Sequence, residues 1–186
     1  MFVAVVPPDE VVEELAEFLA PREGMPWIHP SQWHLTLAFM ASVPAAREDE
    51  LVERLGEAAA RVAPFDVRLD GAGCFPDPSR ASVLWLGVDE AAAQSLTRLA
   101  TGARAAANVS GATPDGKAFV PHLSLARLKR PVSATKWLRV LDTFSSSASS
   151  SSWRVTEIEL IASYLGEGPR RRPRHETVAR VPLAGH

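Results

Sequence analysis

Cysteine is almost missing from this chain: Cys74 is the only one in 186 residues. It has no partner for an intramolecular disulfide, and no Cys/His cluster has zinc-site spacing, so a disulfide framework is excluded and a reducing compartment is the simplest setting. A charge excess is missing too. Twenty Lys and Arg stand against 22 Asp and Glu, a formal net charge of −2 with a pI near 6.2. Nothing in that balance favours tight, sequence-independent binding to a long nucleic acid, although a small or end-localised one stays open. No apolar run is long enough to span a bilayer. The opening Met1-Phe2-Val3-Ala4-Val5-Val6, stopped by Pro7-Pro8, is too short and uncharged for a signal peptide. A cytoplasmic protein without a membrane partner is expected.

What is present is enough apolar material for a substantial core. The chain is 46% hydrophobic and 23% charged, which fits one globular domain over residues 1–186, two-lobed or not. Phe2 to Val6 reads as a buried strand. Asp9 is a candidate cap for a helix with Val12, Leu15, Phe18 and Leu19 on one stripe. Trp33 to Met40 reads as a strand, Glu48 to Val62 as a helix, and Phe65–Asp70 and Ser82–Val88 as paired strands around a Gly71–Pro78 turn. Asp89 to Ala107 is a third helix, Phe119 to Ala126 a strand, and Ser133 to Phe144 a short helix with Trp137, Leu138 and Leu141 inward. Ser145 to Ser152 is nearly pure serine and reads as a surface loop. Trp153 to Tyr164 and His175 to Leu183 complete a β-α-β-α-β-β-α-β-α-β-β order.

Two segments of this pattern repeat one chemistry. His34-Leu35-Thr36-Leu37 and His122-Leu123-Ser124-Leu125 each place a hydroxyl two residues after a histidine. On an extended strand, residues i and i+2 share a face, so an imidazole and a hydroxyl project together while the leucines pack behind. One copy falls in each half of the chain, which points to a pseudo-twofold pair of lobes around a cleft. Two facing imidazoles can act as base and acid in one turnover. In-line phosphoester cleavage needs that arrangement, with hydroxyl donors for the non-bridging oxygens.

Trp33-His34-Leu35-Thr36-Leu37-Ala38-Phe39 and Phe119-Val120-Pro121-His122-Leu123-Ser124-Leu125-Ala126-Arg127 resemble the paired His-x-Thr/Ser-x motifs of the two-histidine phosphoesterases, specifically the RNA 2′,3′-cyclic phosphodiesterases of the 2′-5′ RNA ligase (LigT/ThpR-like) family. Nearly the whole chain takes part, including the Gly73-Cys74-Phe75-Pro76 turn and Ser163-Tyr164. The resemblance implies an α/β (α+β) bilobal fold with two antiparallel-rich sheets facing a central cleft and helices outside. It also implies hydrolysis of a 2′,3′-cyclic phosphate to a 2′-phosphate with no metal and no cofactor. His34 falls on the family's proton donor to the departing 3′-oxygen, His122 on the base that activates water, and Thr36 and Ser124 on the phosphate-holding hydroxyls. Ser124 stands where threonine is commoner, losing the methyl that restricts χ1.

Phe39 and Arg127 each lie five residues after a motif histidine, where the family's pocket has its border. Strict alternation turns both away from the histidine face, so their use requires a bulge or a strand end. With it, Phe39 can stack on a base and Arg127 can pair with a phosphate. The partners implied are RNA 2′,3′-cyclic phosphate ends or cyclic nucleotides, acted on by a monomer. The same pocket also fits 2′-5′ ligation as the reverse reaction, another small cyclic phosphate or 2′-5′ oligonucleotide, or binding alone. No Walker-type loop or nucleotidylated-lysine motif supports ATP-driven ligation.

His29, His175 and His186 are expected to be surface or incidental, Cys74 to be buried rather than nucleophilic, and the five tryptophans to pack the core and lobes. Arg170, Arg171, Arg172 and Arg174 form one dense basic run, by default a solvated turn and alternatively a phosphate contact beside the cleft.

Overall fold

In the computed structural model, which describes residues 1–145 and 152–185, all four residues of Phe2–Val5 are buried and form β1. A strand buried on both faces belongs inside a sheet. β1 lies between β2 (Leu35–Phe39) and β7 (Glu157–Tyr164). Val3 and Val5 enter the main core, while Phe2 and Ala4 join Ile161 in a small separate cluster.

The described residues form four α-helices and eight strands. The remaining elements are α1 (Asp9–Leu19), α2 (Glu48–Ala59), β3 (Phe65–Phe75), β4 (Ala81–Val88), α3 (Glu90–Val109), β5 (Leu123–Val132), α4 (Thr135–Ser145), β6 (Ser152–Val155) and β8 (Arg174–Pro182). All strand pairs are antiparallel, in the order β6-β3-β4-β5-β2-β1-β7-β8. The chain is therefore α+β. Its two expected sheets are four-stranded halves of one hydrogen-bonded sheet, joined between β2 and β5 at a single register pair, Leu35 with Leu123.

The run from Trp153 to Tyr164, expected as one strand, is two. Trp153 and Val155 are buried, Thr156 and Glu157 are both exposed, and burial resumes at Ile158 and Leu160. That break in alternation marks the point where the chain leaves β6, at the edge beside β3, and enters β7, beside β1. Six strand spacings separate the two positions in the order, about 29 Å in a flat sheet. One residue bridges them, so the sheet curls until its ends meet.

Other boundaries move for local reasons. Pro8, not Asp9, is the N-cap of α1; Asp9 opens the helix, where its carboxylate complements the positive end of the helix dipole. β3 extends through much of the expected Gly71–Pro78 turn, with its irregularity between Leu69 and Ala72, where Gly71 takes φ +73. The backbone amides of Gly71 and Ala72 donate to Ser145 Oγ and Asp142 Oδ1 at 2.9 and 2.8 Å, which pins α4 onto β3. Leu141 and Phe144 are the buried residues of α4, while Trp137 and Leu138 are only half-buried. The expected serine loop lies, at 146–151, outside the described residues.

α3 is an alanine-rich helix whose Ala92, Leu96, Leu99, Ala100, Ala103 and Ala107 are buried along one stripe. Asp89 caps it by accepting from the Ala92 amide at 3.0 Å, and its other oxygen takes the Arg68 amide at 2.8 Å. α2 packs closely on α3 because Gly102 has no side chain; a Cβ there would sit 2.9 Å from that of Ala58. Gly102→Val forces these helices apart, with an expected loss of about 1–3 kcal/mol. Urea unfolding reads it; an unchanged midpoint would show that the helix pair repacks without strain.

Candidate active site

Both motif histidines stand one residue before a central strand: His34 before β2 and His122 before β5. Leu35 and Leu123, the register pair, are buried at 2% and 0% exposure. Stepping one residue either way in that antiparallel register sets Thr36 across from His122 and Ser124 across from His34. Each imidazole thus faces the hydroxyl of the other segment, which adds a cross-strand partner to the expected same-strand one. Among the described residues nothing hydrogen-bonds the Thr36 or Ser124 hydroxyl, so both are open to a ligand.

The two histidines are held alike. His34 Nδ1 lies 2.8 Å from the Gln32 carbonyl and His122 Nδ1 lies 2.7 Å from the Val120 carbonyl. A carbonyl can only accept, so Nδ1 carries the proton in both rings and Nε2 is the working nitrogen.

The bulge that Phe39 and Arg127 require occurs twice. Pairing of β2 with β1 shifts by one residue at Leu37, and pairing of β5 with β4 shifts by one at Leu125, each three residues after its histidine. Burial shows the phase change: Leu37 and Ala38 are buried in succession, as are Leu125 and Ala126, and exposure returns at Phe39 and Arg127. Both side chains consequently border a cleft of about 670 Å³ with Thr36, His122 and Ser124. The cleft also uses residues that the sequence did not single out. Phe75, Arg104, Asp115 and Lys117 line it, with Arg104 bound to Asp115 at 3.4 Å and to the Lys117 carbonyl at 2.8 Å. Phe75 ends β3, while Arg104, Asp115 and Lys117 come from α3 and the loop that follows it, and no local spacing announces them.

His34 adjoins the cleft at the end of the segment that enters it as Thr36. Its ring stacks on Phe2 at 4.5 Å and 21°, and meets His175 of β8 edge-on at 5.7 Å. His122 sits edge-on to Phe75 at 5.0 Å and beside Trp85 at 5.7 Å. His175, expected to be incidental, is therefore part of the His34 environment. So is Trp85 for His122, and its ring lies over Gly73, where a Cβ would overlap it. The sequence signal for His175 was indirect: a β1 strand apolar on both faces needs a cover, and His175 packs edge-on against Phe2 at 5.1 Å. His29 does only local work, accepting from the Ser31 amide. Cys74, expected to be buried, is only half-buried near the end of β3, and desolvation pushes its thiol up, away from the thiolate a nucleophile needs.

Burial lowers His34 to about 4, with the neighbouring His175, Arg127 and His122 charges adding to the effect and the Gln32 carbonyl opposing it. Burial likewise lowers His122 and His175. Burial thus favours the neutral form of both motif imidazoles at pH 7. Among the described residues, no group of three or more His, Cys, Asp or Glu converges as metal ligands would, and no helix is long and apolar enough to cross a membrane.

Fold and site together define a two-histidine cleft protein. The 2′-5′ RNA ligase superfamily model matches residues 7–167, and the chain belongs to that family. Relatives named RNA 2′,3′-cyclic phosphodiesterase include those of Escherichia coli K12 (31% identical, 92% of this chain and 90% of that protein) and Geobacillus stearothermophilus (30% identical, 99% and 57%). A third, from Aquifex aeolicus, is 34% identical over 65% of this chain and 64% of its own length. The chain thus spans less than two thirds of the last two relatives. Among solved structures, E. coli LigT complexed with 3′-AMP superposes with a TM-score of 0.75 at 28% identity, covering 98% of this chain and 96% of that one. TT0787 of Thermus thermophilus gives 0.72 at 28%, covering 99% and 97%.

The lowered His34 links the site to acid stability. Its folded pKa lies below the unfolded value, so its contribution is complete above pH 6.5 and is lost as pH falls from 6.5 through 4. An NMR titration should place the His34 ring near 4, and His175→Gln should move it upward by removing a neighbouring charge and admitting water. An unmoved His34 titration in that variant would show that His175 has no hold on it.

Proposed function

We propose that the chain hydrolyses RNA 2′,3′-cyclic phosphate ends to 2′-phosphomonoesters, with His34 and His122 as acid and base and no metal. The observation that carries this is the arrangement around the Leu35–Leu123 pair: two imidazoles of one tautomer, each set across from the other strand's hydroxyl. Water attacks phosphorus as His122 Nε2 takes its proton. The P–O3′ bond breaks as His34 Nε2–H protonates the departing oxygen. Thr36 and Ser124 donate to the non-bridging oxygens, Arg127 adds a positive charge, and Phe39 offers a face to the base.

The acid role sets an electrostatic condition. Because His34 keeps its Nδ1 proton on the Gln32 carbonyl, donation from Nε2 requires the imidazolium. Burial disfavours that form, and the negative charge of a bound cyclic phosphate restores it, so substrate enters together with a proton. All four groups come from one chain, consistent with a monomer, and the lone cysteine suits the reducing cytoplasm.

A second outcome follows from the same transfers. A 5′-hydroxyl in place of water yields a 2′-5′ linkage, in line with the name of the family that the chain belongs to.

Incubation with a 2′,3′-cyclic nucleotide in EDTA, resolving 2′- from 3′-phosphate, tests the proposal. A 2′-phosphate is expected, and His34→Ala or His122→Ala each lowers the rate by about 10²–10⁴. A loss below about tenfold at either position, in a variant with native circular dichroism, overturns that residue's role. The pH profiles add an independent check. kcat/KM reports the free enzyme, where both imidazoles are lowered, so its optimum lies on the acid side of neutrality. kcat reports the complex, where the bound phosphate raises both, so its optimum lies higher. Coincident optima would contradict the proton uptake.

A further inference from the structure

The cleft holds about 670 Å³, room for one nucleotide, so a longer strand has to leave it over a rim. Next to His34, outside the residues that line the cleft, the turn between β7 and β8 is joined to the His34 segment by the Gln32–Pro173 hydrogen bond. Gly168 N–H donates to the Arg172 carbonyl at 2.8 Å and Arg172 N–H to the Pro169 carbonyl at 3.2 Å, closing a tight loop in which a Cβ on Gly168 would meet the Arg172 and Pro173 carbonyls. Arg171, at φ +60, is the only non-glycine residue with positive φ among the described residues. Such a conformation is strained for a residue with a side chain and persists where the surroundings impose it.

The turn is tied to the site through one residue. Gln32 uses its backbone carbonyl to hold His34 Nδ1 and its side-chain amide to donate to the Pro173 carbonyl at 2.9 Å. Two residues after Pro173, His175 packs against His34. The arginines around it differ in their freedom. Arg174 is consumed locally: it binds Glu167 at 3.0 Å and Glu176 at 2.8 Å and lies over the Tyr164 ring at 4.2 Å. Arg171 and Arg172 have no carboxylate within ion-pair distance among the described residues, and Arg171 is exposed. A chain of net charge −2 therefore keeps uncompensated guanidinium groups on a turn that is tied to the His34 segment through Gln32 and Pro173.

We propose that this turn grips the phosphodiester backbone of single-stranded RNA as it leaves the cleft, so that RNA ends are preferred over mononucleotides. The inference rests on the hydrolase reading above and adds the surface that holds the strand behind the reacting end. Guanidinium groups suit phosphate oxygens by fork geometry, and each single-strand contact contributes about 0.7 to the slope of log affinity against log salt. The contacts are made to phosphate, so they carry no base sequence.

The test compares a 2′,3′-cyclic mononucleotide with a short RNA bearing the same end, across salt concentrations. Fluorescence anisotropy of an RNA ending in a 2′-phosphate supplies a readout independent of turnover. Native protein should show a steeper salt dependence on the RNA than on the mononucleotide. Arg171→Ala/Arg172→Ala should reduce the RNA slope by about 1.4 and weaken RNA binding roughly tenfold at low salt, leaving mononucleotide hydrolysis unchanged. Unchanged RNA binding in this variant overturns the proposal. So does transfer of the effect to Lys129→Ala/Arg130→Ala, which would send the strand along β5 instead. Failure of native protein to hydrolyse both the mononucleotide and the RNA overturns the hydrolase reading, and anisotropy still judges the turn.

Discussion

One backbone pairing, Leu35 with Leu123, governs this molecule. It is the only register pair between β2 and β5, where the halves of the sheet join, and the proposed chemical groups flank it on both strands. Both leucines are buried, so their faces are fixed by the cost of exposing apolar surface, about 1.5–3 kcal/mol each. Side chains alternate with a period of two, so a slip of one residue on either strand would send its imidazole and hydroxyl into the core and its leucines into the cleft. The hydrophobic pattern therefore protects the site: the least costly register for the core is also the one that sets each histidine across from the opposite hydroxyl.

The surroundings then bias the site toward emptiness of charge. Phe2 under His34, Phe75 and Trp85 around His122, and short hydrogen bonds from each Nδ1 leave rings that are oriented and reluctant to ionise. Oriented neutral imidazoles need little rearrangement when an anion arrives, and the anion itself completes the electrostatics. Gln32 and His175 belong to the same arrangement, one holding the ring's inner nitrogen and the other crowding its edge.

Much of this was legible in the chain. The His-Leu-Thr-Leu and His-Leu-Ser-Leu phases fix which residues face inward, and the family's α+β fold accompanies them. Even the bulges left a trace: Leu37-Ala38 and Leu125-Ala126 place two apolar residues in succession, which a regular half-buried strand avoids. The division of β6 from β7 was visible as Thr156-Glu157, two exposed residues together. His175 and the Arg104–Asp115 pair were illegible for a different reason. They reach the site by way of β8, far along the chain from His34, and of α3 with its following loop, and no local period encodes where such elements come to rest.

The curl of the sheet has a consequence for how the chain is made. β3, β4 and β5 lie near one another in sequence and can pair as soon as they emerge from the ribosome. β1 (Phe2–Val5) precedes the other strands, yet its second neighbour, β7 (Glu157–Tyr164), emerges only after β2 to β6 and α1 to α4. Closing that distance carries a loop-entropy cost that no early contact offsets. The nascent chain thus holds its most apolar strand with one edge unpaired until β7 has emerged, the interval in which a chaperone has most to cover.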